Sequence, residues 1–270
     1  MEAREQTIVT TTEVSTFRRV LVGIDDSPEA LEAARQAAVL AEGPITLLCA
    51  YNLSKALVGG TGPAVPAYLD EESLQHEAED AIERARAEID RPAASRVIAG
   101  RPWEELLAEI DRWDDTLVAV GSHGTGRTLG IVIGSTATEL IHKAPCSVLV
   151  TRTGLGAFPR RLVVGLDGSP ESIAAYRTAK EVADRFDAEL HPIVASVGED
   201  VDLDAVEQAV GGPIRTVPDH AVSALVSMSA DADLVVVGSR GLKGIKALGS
   251  VSERVAHQAA SSVLIVRSRT

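Results

Sequence analysis

The residues best suited to chemistry form one run, Gly121-Ser-His-Gly124-Thr-Gly-Arg-Thr-Leu-Gly-Ile-Val-Ile-Gly134-Ser135, which follows an apolar stretch and leads into helix-forming sequence. Glycines let a backbone come close to an anion, and unpaired N–H groups together with a helix dipole hold phosphate. Far upstream, Asp25 and Asp26 end another apolar run. A carboxylate there would accept hydrogen bonds from a ribose or help hold a metal. Any one of these glycines serves a tight turn as readily as a ligand, and Asp25-Asp26 caps a helix as readily. The site reading rests on bringing the whole set to one edge of a sheet.

The elements needed to do this are legible. Residues 20–24 read as a strand ending in Asp-Asp-Ser-Pro, where Ser27 or Asp26 caps a helix over 28–42 with Pro28 in its first turn. Leu31, Ala34, Ala38 and Ala41 recur at helical spacing. A strand over 45–50 precedes a loop bearing Gly59, Gly60, Gly62, Pro63 and Pro66, then a helix over 71–90. Strands over 96–99, 117–120 and 147–150 alternate with helices over 102–111 and 135–143. Strands separated by helices imply right-handed crossovers and a parallel, doubly wound (Rossmann-like) α/β sheet, five-stranded in each copy, whose ligands lie outside the carboxyl ends of its strands.

There are two copies. Arg19-Val-Leu-Val-Gly-Ile-Asp-Asp-Ser-Pro28 returns as Arg161-Leu-Val-Val-Gly-Leu-Asp-Gly-Ser-Pro170, Leu117-Val-Ala-Val-Gly-Ser-His-Gly124 as Leu234-Val-Val-Val-Gly-Ser-Arg-Gly241, and Ser147-Val-Leu-Val150 as Ser262-Val-Leu-Ile265. The offset falls from 142 (Gly165 against Gly23) to 117 (Gly238 against Gly121) and then 115 (Gly249 against Gly134), so the second copy is shorter in its middle and in its last loop. The expected organisation is a flexible tail over 1–17, a first domain over 18–152, a linker over 153–159 and a shortened second domain over 160–270. Each copy ends in an apolar strand with an edge to cover, and the two copies are expected to form a pseudo-dimer through these strands.

Composition narrows the function. Of 270 residues 45% are hydrophobic but only 3% aromatic, which disfavours a nucleic-acid binder that works by stacking, and the net charge of −13 repels phosphate backbones and anionic lipid. Apolar runs such as 116–121 fall far short of the roughly 20 residues of a membrane helix. The opening segment carries Glu2 and Glu5 and no continuous apolar region, so no secretory signal is expected and a cytoplasmic protein is. Cys49 and Cys146 lie in or beside apolar runs without paired metal spacing and read as small buried hydrophobes.

Gly121-x2-Gly124-x9-Gly134-Ser135, with its preceding strand and the following Ser-Val-Leu-Val, resembles the nucleotide-binding signature of the universal stress protein family, and Val-Gly-Ile-Asp-Asp-Ser-Pro resembles that family's first strand and turn. The resemblance covers 18–152 and 160–267 and implies a tandem-domain member of the ATP-binding class. It implies that Asp25 contacts the ribose or the metal-phosphate region and that the backbone around Ala50 and Tyr51 receives adenine. Gly121, Gly124, Gly134, Ser135 and Thr136 would cradle the phosphates, and Arg127 would reach the terminal one. The implied ligand is ATP with Mg2+, the implied role a regulatory nucleotide sensor in stress response with unidentified protein partners and a possible homodimer of the tandem chain. The second copy, with seven residues between Gly241 and Gly249 where the first has nine between Gly124 and Gly134, is expected to hold a degenerate site.

The alternative is an ATP-using enzyme of related fold, catalysing slow hydrolysis or adenylyl transfer. No Walker loop, no Gly-x-Gly-x-x-Gly after the first strand, no nucleophile elbow and no Ser-Gly-Gly-x-Asp-Ser occurs, so at most a slow ATPase is expected and no residue is assigned a catalytic or resident-metal role. A phosphorylated receiver would need an aspartate ending its third strand, where this chain has Ala99-Gly100-Arg101.

Overall fold

A computed structural model describes residues 17–52, 71–113, 117–123, 133–154, 156–198, 201–239 and 250–267. The N-terminal half runs β1 (Val20–Ile24), α1 (Pro28–Leu40), β2 (Ile45–Tyr51), α2 (Glu71–Ala87), β3 (Ala93–Ala99), α3 (Pro102–Trp113), β4 (Leu117–Gly121), α4 (Ser135–Lys143) and β5 (Ser147–Thr151). The C-terminal half repeats the order with β6 (Arg161–Leu166), α5 (Pro170–Phe186), β7 (Glu189–Ala195), α6 (Leu203–Val210), β8 (Arg215–Val217), α7 (Ala221–Met228), β9 (Leu234–Gly238), α8 (Val251–Gln258) and β10 (Ser262–Val266). The third strand starts at Ala93 rather than residue 96, because Ala93–Ser95 pair with Ile45–Leu47 despite their weak apolar pattern. Phe17, counted with the tail in the sequence reading, is 1% exposed, and its carbonyl accepts from the Glu42 N–H at 3.0 Å.

All strands join one ten-stranded sheet in the order β3-β2-β1-β4-β5-β10-β9-β6-β7-β8. The two expected five-stranded sheets are therefore continuous. Every pairing is parallel except the central one, where β5 meets β10 antiparallel with Val150 opposite Val263 and Val148 opposite Ile265. Val148, Leu149 and Val150, with Val263, Leu264 and Ile265, are 0–1% exposed. Burying one such side chain contributes about 1.5–3 kcal/mol, so separating the halves would be costly. Runs apolar at every position are what a sheet covered on both faces requires. One face carries α1, α2 and α5, the other α3, α4, α7 and α8, and the apolar cluster on each face includes side chains of both halves.

The seam is built twice over by the same device. The Arg152 guanidinium donates to the Ala256, His257 and Ala259 carbonyls at 2.8, 3.3 and 3.1 Å, closing the C-terminus of α8. The Arg267 guanidinium donates to the Ile141 and Ala144 carbonyls and closes the C-terminus of α4. The backbone N–H groups repeat the symmetry, Arg152 donating to Ser262 Oγ at 3.1 Å and Arg267 to Ser147 Oγ at 3.2 Å. Each arginine thus ends the last helix of the opposite half, where orphan carbonyls and the negative end of the helix dipole favour a cation.

Candidate functional site

The carboxyl ends of β1, β2 and β4 open on a cleft of about 510 Å³, within the roughly 300–1,000 Å³ usual for small-molecule sites. Among the site residues expected from the sequence, Asp25, Ala50, Tyr51, Gly121, Gly134, Ser135 and Thr136 line it. Gly124 and Arg127 lie outside the described residues, as do the Gly/Pro-bearing loop of 59–66 and the shortened loop of the second copy.

Asp25 is held in a fixed orientation. The Ser27 N–H donates to Asp25 Oδ1 at 3.0 Å and the Ser27 hydroxyl donates to the same oxygen. Ser27 Oγ in turn accepts from the Ala30 N–H at 3.2 Å, which makes Ser27 the N-cap of α1, with Pro28 following as expected. The hydroxyl also lies 3.2 Å from the His123 carbonyl at the head of the glycine-rich run. On the outer side, Asp26 receives the Arg84 guanidinium of α2 at 2.8–2.9 Å, tying the outer wall of the cleft to the β1 turn.

The glycines divide by role. A Cβ on Gly121 would stand 2.8 Å from the Glu29 carbonyl carbon and 2.9 Å from the Ala30 nitrogen, so this residue is glycine because the first turn of α1 rests on the end of β4. Gly134 is the N-cap of α4, which spans 135–143 as expected, and no side chain caps this helix. Its N–H donates to the Ser122 carbonyl at 2.6 Å. The first turn of α4, from Ser135 to Ala137, lines the cleft, so its amides stand at the edge of the space a ligand would fill.

Near the base end assigned from the resemblance, the Tyr51 carbonyl accepts from the Gly100 N–H at 2.8 Å as part of the sheet edge. The Tyr51 hydroxyl donates to Glu71 at 3.4 Å, and partial burial with this carboxylate raises its pKa. Cys49, beside Ala50, lines the cleft while only 6% exposed. Burial, with Asp25 and Asp26 adding to it, pushes its thiol up to about 12. Sequence reasoning treated Cys49 as core and Ser27 as a cap alone, and it assigned nothing on α2, where Leu74, Glu77, Ala78 and Ala81 form the wall opposite α3. Their i, i+4, i+7 spacing was the available signal.

The second half repeats the turn but not the space. The Ser169 N–H donates to Asp167 Oδ1 at 2.9 Å and Ser169 caps α5, matching Asp25 and Ser27. The pocket at these strand ends measures about 80 Å³. Where α2 has 17 residues, α6 has 8, and no α6 residue is among the described lining. The last helix begins one residue later than in the first half, and its N-cap Ser250 accepts from the Glu253 N–H at 3.2 Å. A side chain thus occupies one first-turn donor here, where α4 has no side-chain cap.

The family model of the universal stress protein family matches residues 16–152 and 199–267. A universal stress protein of Mycobacterium tuberculosis is 30% identical over 288 residues, covering 92% of this chain and 96% of the relative, and one of Mycolicibacterium smegmatis is 30% identical with 93% and 97% covered. The crystal structure of a universal stress protein from Archaeoglobus fulgidus superimposes with a TM-score of 0.69 at 23% identity, covering 92% of this chain and 96% of that one. It shares the fold.

Proposed function

The chain belongs to the universal stress protein family, and we propose that it is a regulatory nucleotide sensor that binds ATP in its N-terminal half and holds a degenerate site in its C-terminal half. The observation that carries this reading is the difference in space, about 510 Å³ against about 80 Å³, at strand ends that otherwise repeat each other. The larger space offers an oriented carboxylate at Asp25 and an uncapped helix terminus at Ser135–Ala137. These are the two fittings that a sugar hydroxyl and a phosphate need. In this reading Ala50 and Tyr51 flank the base, Gly134, Ser135 and Thr136 receive phosphate, and Gly124 and Arg127 complete the loop.

Asp25, Asp26 and Glu77 line the same cleft, and an uncompensated polyphosphate would be repelled by them. No group of three or more His, Cys, Asp or Glu side chains able to hold a metal occurs among the described residues. Mg2+ is commonly held by one or two carboxylates together with the substrate's phosphates, and Asp25 is the carboxylate that would serve. Bound there, the ion would neutralise phosphate charge. The chain's own residues orient the nucleotide.

No helix among the described residues is long and apolar enough to cross a membrane. Protein partners would read the occupied or empty state of the cleft. The test is twofold. Denaturing freshly purified protein should release an adenine nucleotide, and calorimetric titration with ATP and magnesium should give about one site per chain. Two equivalent sites, or no binding, would overturn the reading.

A further inference from the structure

We propose that Arg267, contributed by the C-terminal half, is a positioning residue for the phosphate end of the N-terminal cleft. The inference rests on the nucleotide reading above and assigns the smaller half a task in that site.

The argument starts from α4. It has nine residues, about 13 Å of helix, too short to be stable by itself; Ala137, Leu140 and Ile141 seat one face in the core against α3, β4 and β5, and what holds its two ends then fixes where it stands along that face. At the N-terminus, among the described residues, the Gly134 amide is anchored to the Ser122 carbonyl, and Ser135, Thr136 and Ala137 line the cleft. At the C-terminus Lys143 lies over the Trp103 ring of α3, 3.9 Å from its centroid, and the other half adds the Arg267 guanidinium on the Ile141 and Ala144 carbonyls and Glu253 3.1 Å from His142 Nε2. The Arg267 N–H also holds Ser147, the first residue of β5. A short helix moves as a unit on the face it packs against, so the C-terminal grip helps set where the Ser135–Ala137 amides stand. Charge works in the same sense, since a guanidinium at the C-terminal carbonyls complements the helix dipole whose positive end faces the phosphates. Arg152 makes the matching grip on α8, but that helix begins at the small pocket with one of its first-turn donors already taken by Ser250. Of the two symmetrical grips, only that of Arg267 holds a helix that opens on ligand-sized space.

The experiment uses the full chain and compares ATP with adenosine, both with magnesium. Arg267→Met keeps the apolar stem and removes the donors. ATP affinity should fall about tenfold while adenosine affinity stays unchanged, and Arg267→Lys should restore part of the loss. Hydrogen exchange of the α4 amides should speed up in Arg267→Met whether or not ligand is present. Unchanged ATP affinity, or an equal loss for ATP and adenosine, would overturn the proposal, the second because a general loosening does not single out phosphate. If the wild-type chain binds no ATP, the nucleotide reading fails, and the grip is then judged by exchange alone: α4 amides as protected in Arg267→Met as in wild type would refute it.

Discussion

The Ser27 hydroxyl lies 3.2 Å from the carbonyl oxygen of His123, 96 residues away in sequence, so the turn carrying Asp25 and the turn opening the glycine-rich run form one unit. Ser27 orients the Asp25 carboxylate from below and caps α1 at the same time. Both residues therefore hold the turn, Ser27 through the α1 cap and Asp25 through the Ser27 N–H, while the proposed ligand contact falls to Asp25.

Asp25→Ala probes the cleft directly, provided its effect on ATP affinity is read beside its unfolding midpoint, because the variant also removes the acceptor of the Ser27 N–H. The cap on α1 survives, because it is made by Ser27, and the fold should be retained. ATP affinity should drop by about 1.5–3 kcal/mol, the usual worth of hydrogen bonds to a charged group. Asp167→Ala, at the equivalent place in the other half, should leave the titration as in wild type.

Two glycines should fail in different ways. Gly121→Ala puts a methyl group 2.8 Å from backbone of α1, which cannot yield as a flexible side chain would, and should cost about 1–3 kcal/mol in urea unfolding. Gly134→Val, at the N-cap facing the cleft, should chiefly weaken ATP binding, with only about 1 kcal/mol lost from the cap itself.

Cys49 should be inert towards thiol reagents although it borders the cleft. With its pKa at about 12, the thiolate fraction at pH 8 is on the order of one in ten thousand, and Ellman titration should detect Cys49 only after unfolding. A raised thiol pKa also means that the folded state keeps a proton the unfolded chain releases. The associated stability is complete below about pH 9 and is lost as pH climbs from there towards about 12, so Cys49→Ala should flatten the alkaline fall in melting temperature.

His257, on α8 beside the seam, gives the opposite limb. Burial lowers its pKa, Arg152 and His142 adding to the effect and Glu253 opposing it. The unfolded chain therefore takes up a proton before the folded chain does. Stability from this group is present above about pH 6.5 and is lost as pH falls below it. Melting temperature should decline between pH 7 and 5.5, and less steeply in His257→Gln.

What could be read in advance follows the range of the interactions. The Ser27 cap, Pro28 in the first turn, the crossovers and the pairing of the last strands of each copy were legible because each leaves a local pattern or a repeated one. The merging of two sheets into one follows from the apolar edges of β5 and β10, which no isolated copy could leave bare. The partners of Arg152 and Arg267 were not legible, since an arginine after a strand carries no mark of the helix it will close 100 or more residues away. The wall of the cleft on α2 leaves an i, i+4, i+7 spacing in the sequence, but that spacing does not distinguish a face lining a cleft from one packed on a sheet. The loss of space in the second half showed in the sequence as a shorter middle, but its physical form, a shorter α6 away from the pocket lining and a serine closing the helix terminus, emerges only when the elements are assembled.

The meeting of β5 with β10 within one chain also fixes a stoichiometry. If the same seam joined separate chains, pairing would follow mass action, and dilution or an excess of one partner would change who met whom. Here the connection from Thr151 to Arg161 keeps each half near the other at an effective concentration on the order of millimolar, whatever the amount of protein present. Every molecule therefore carries one wide and one narrow pocket in a constant ratio, and subunit exchange cannot produce a version with two of either.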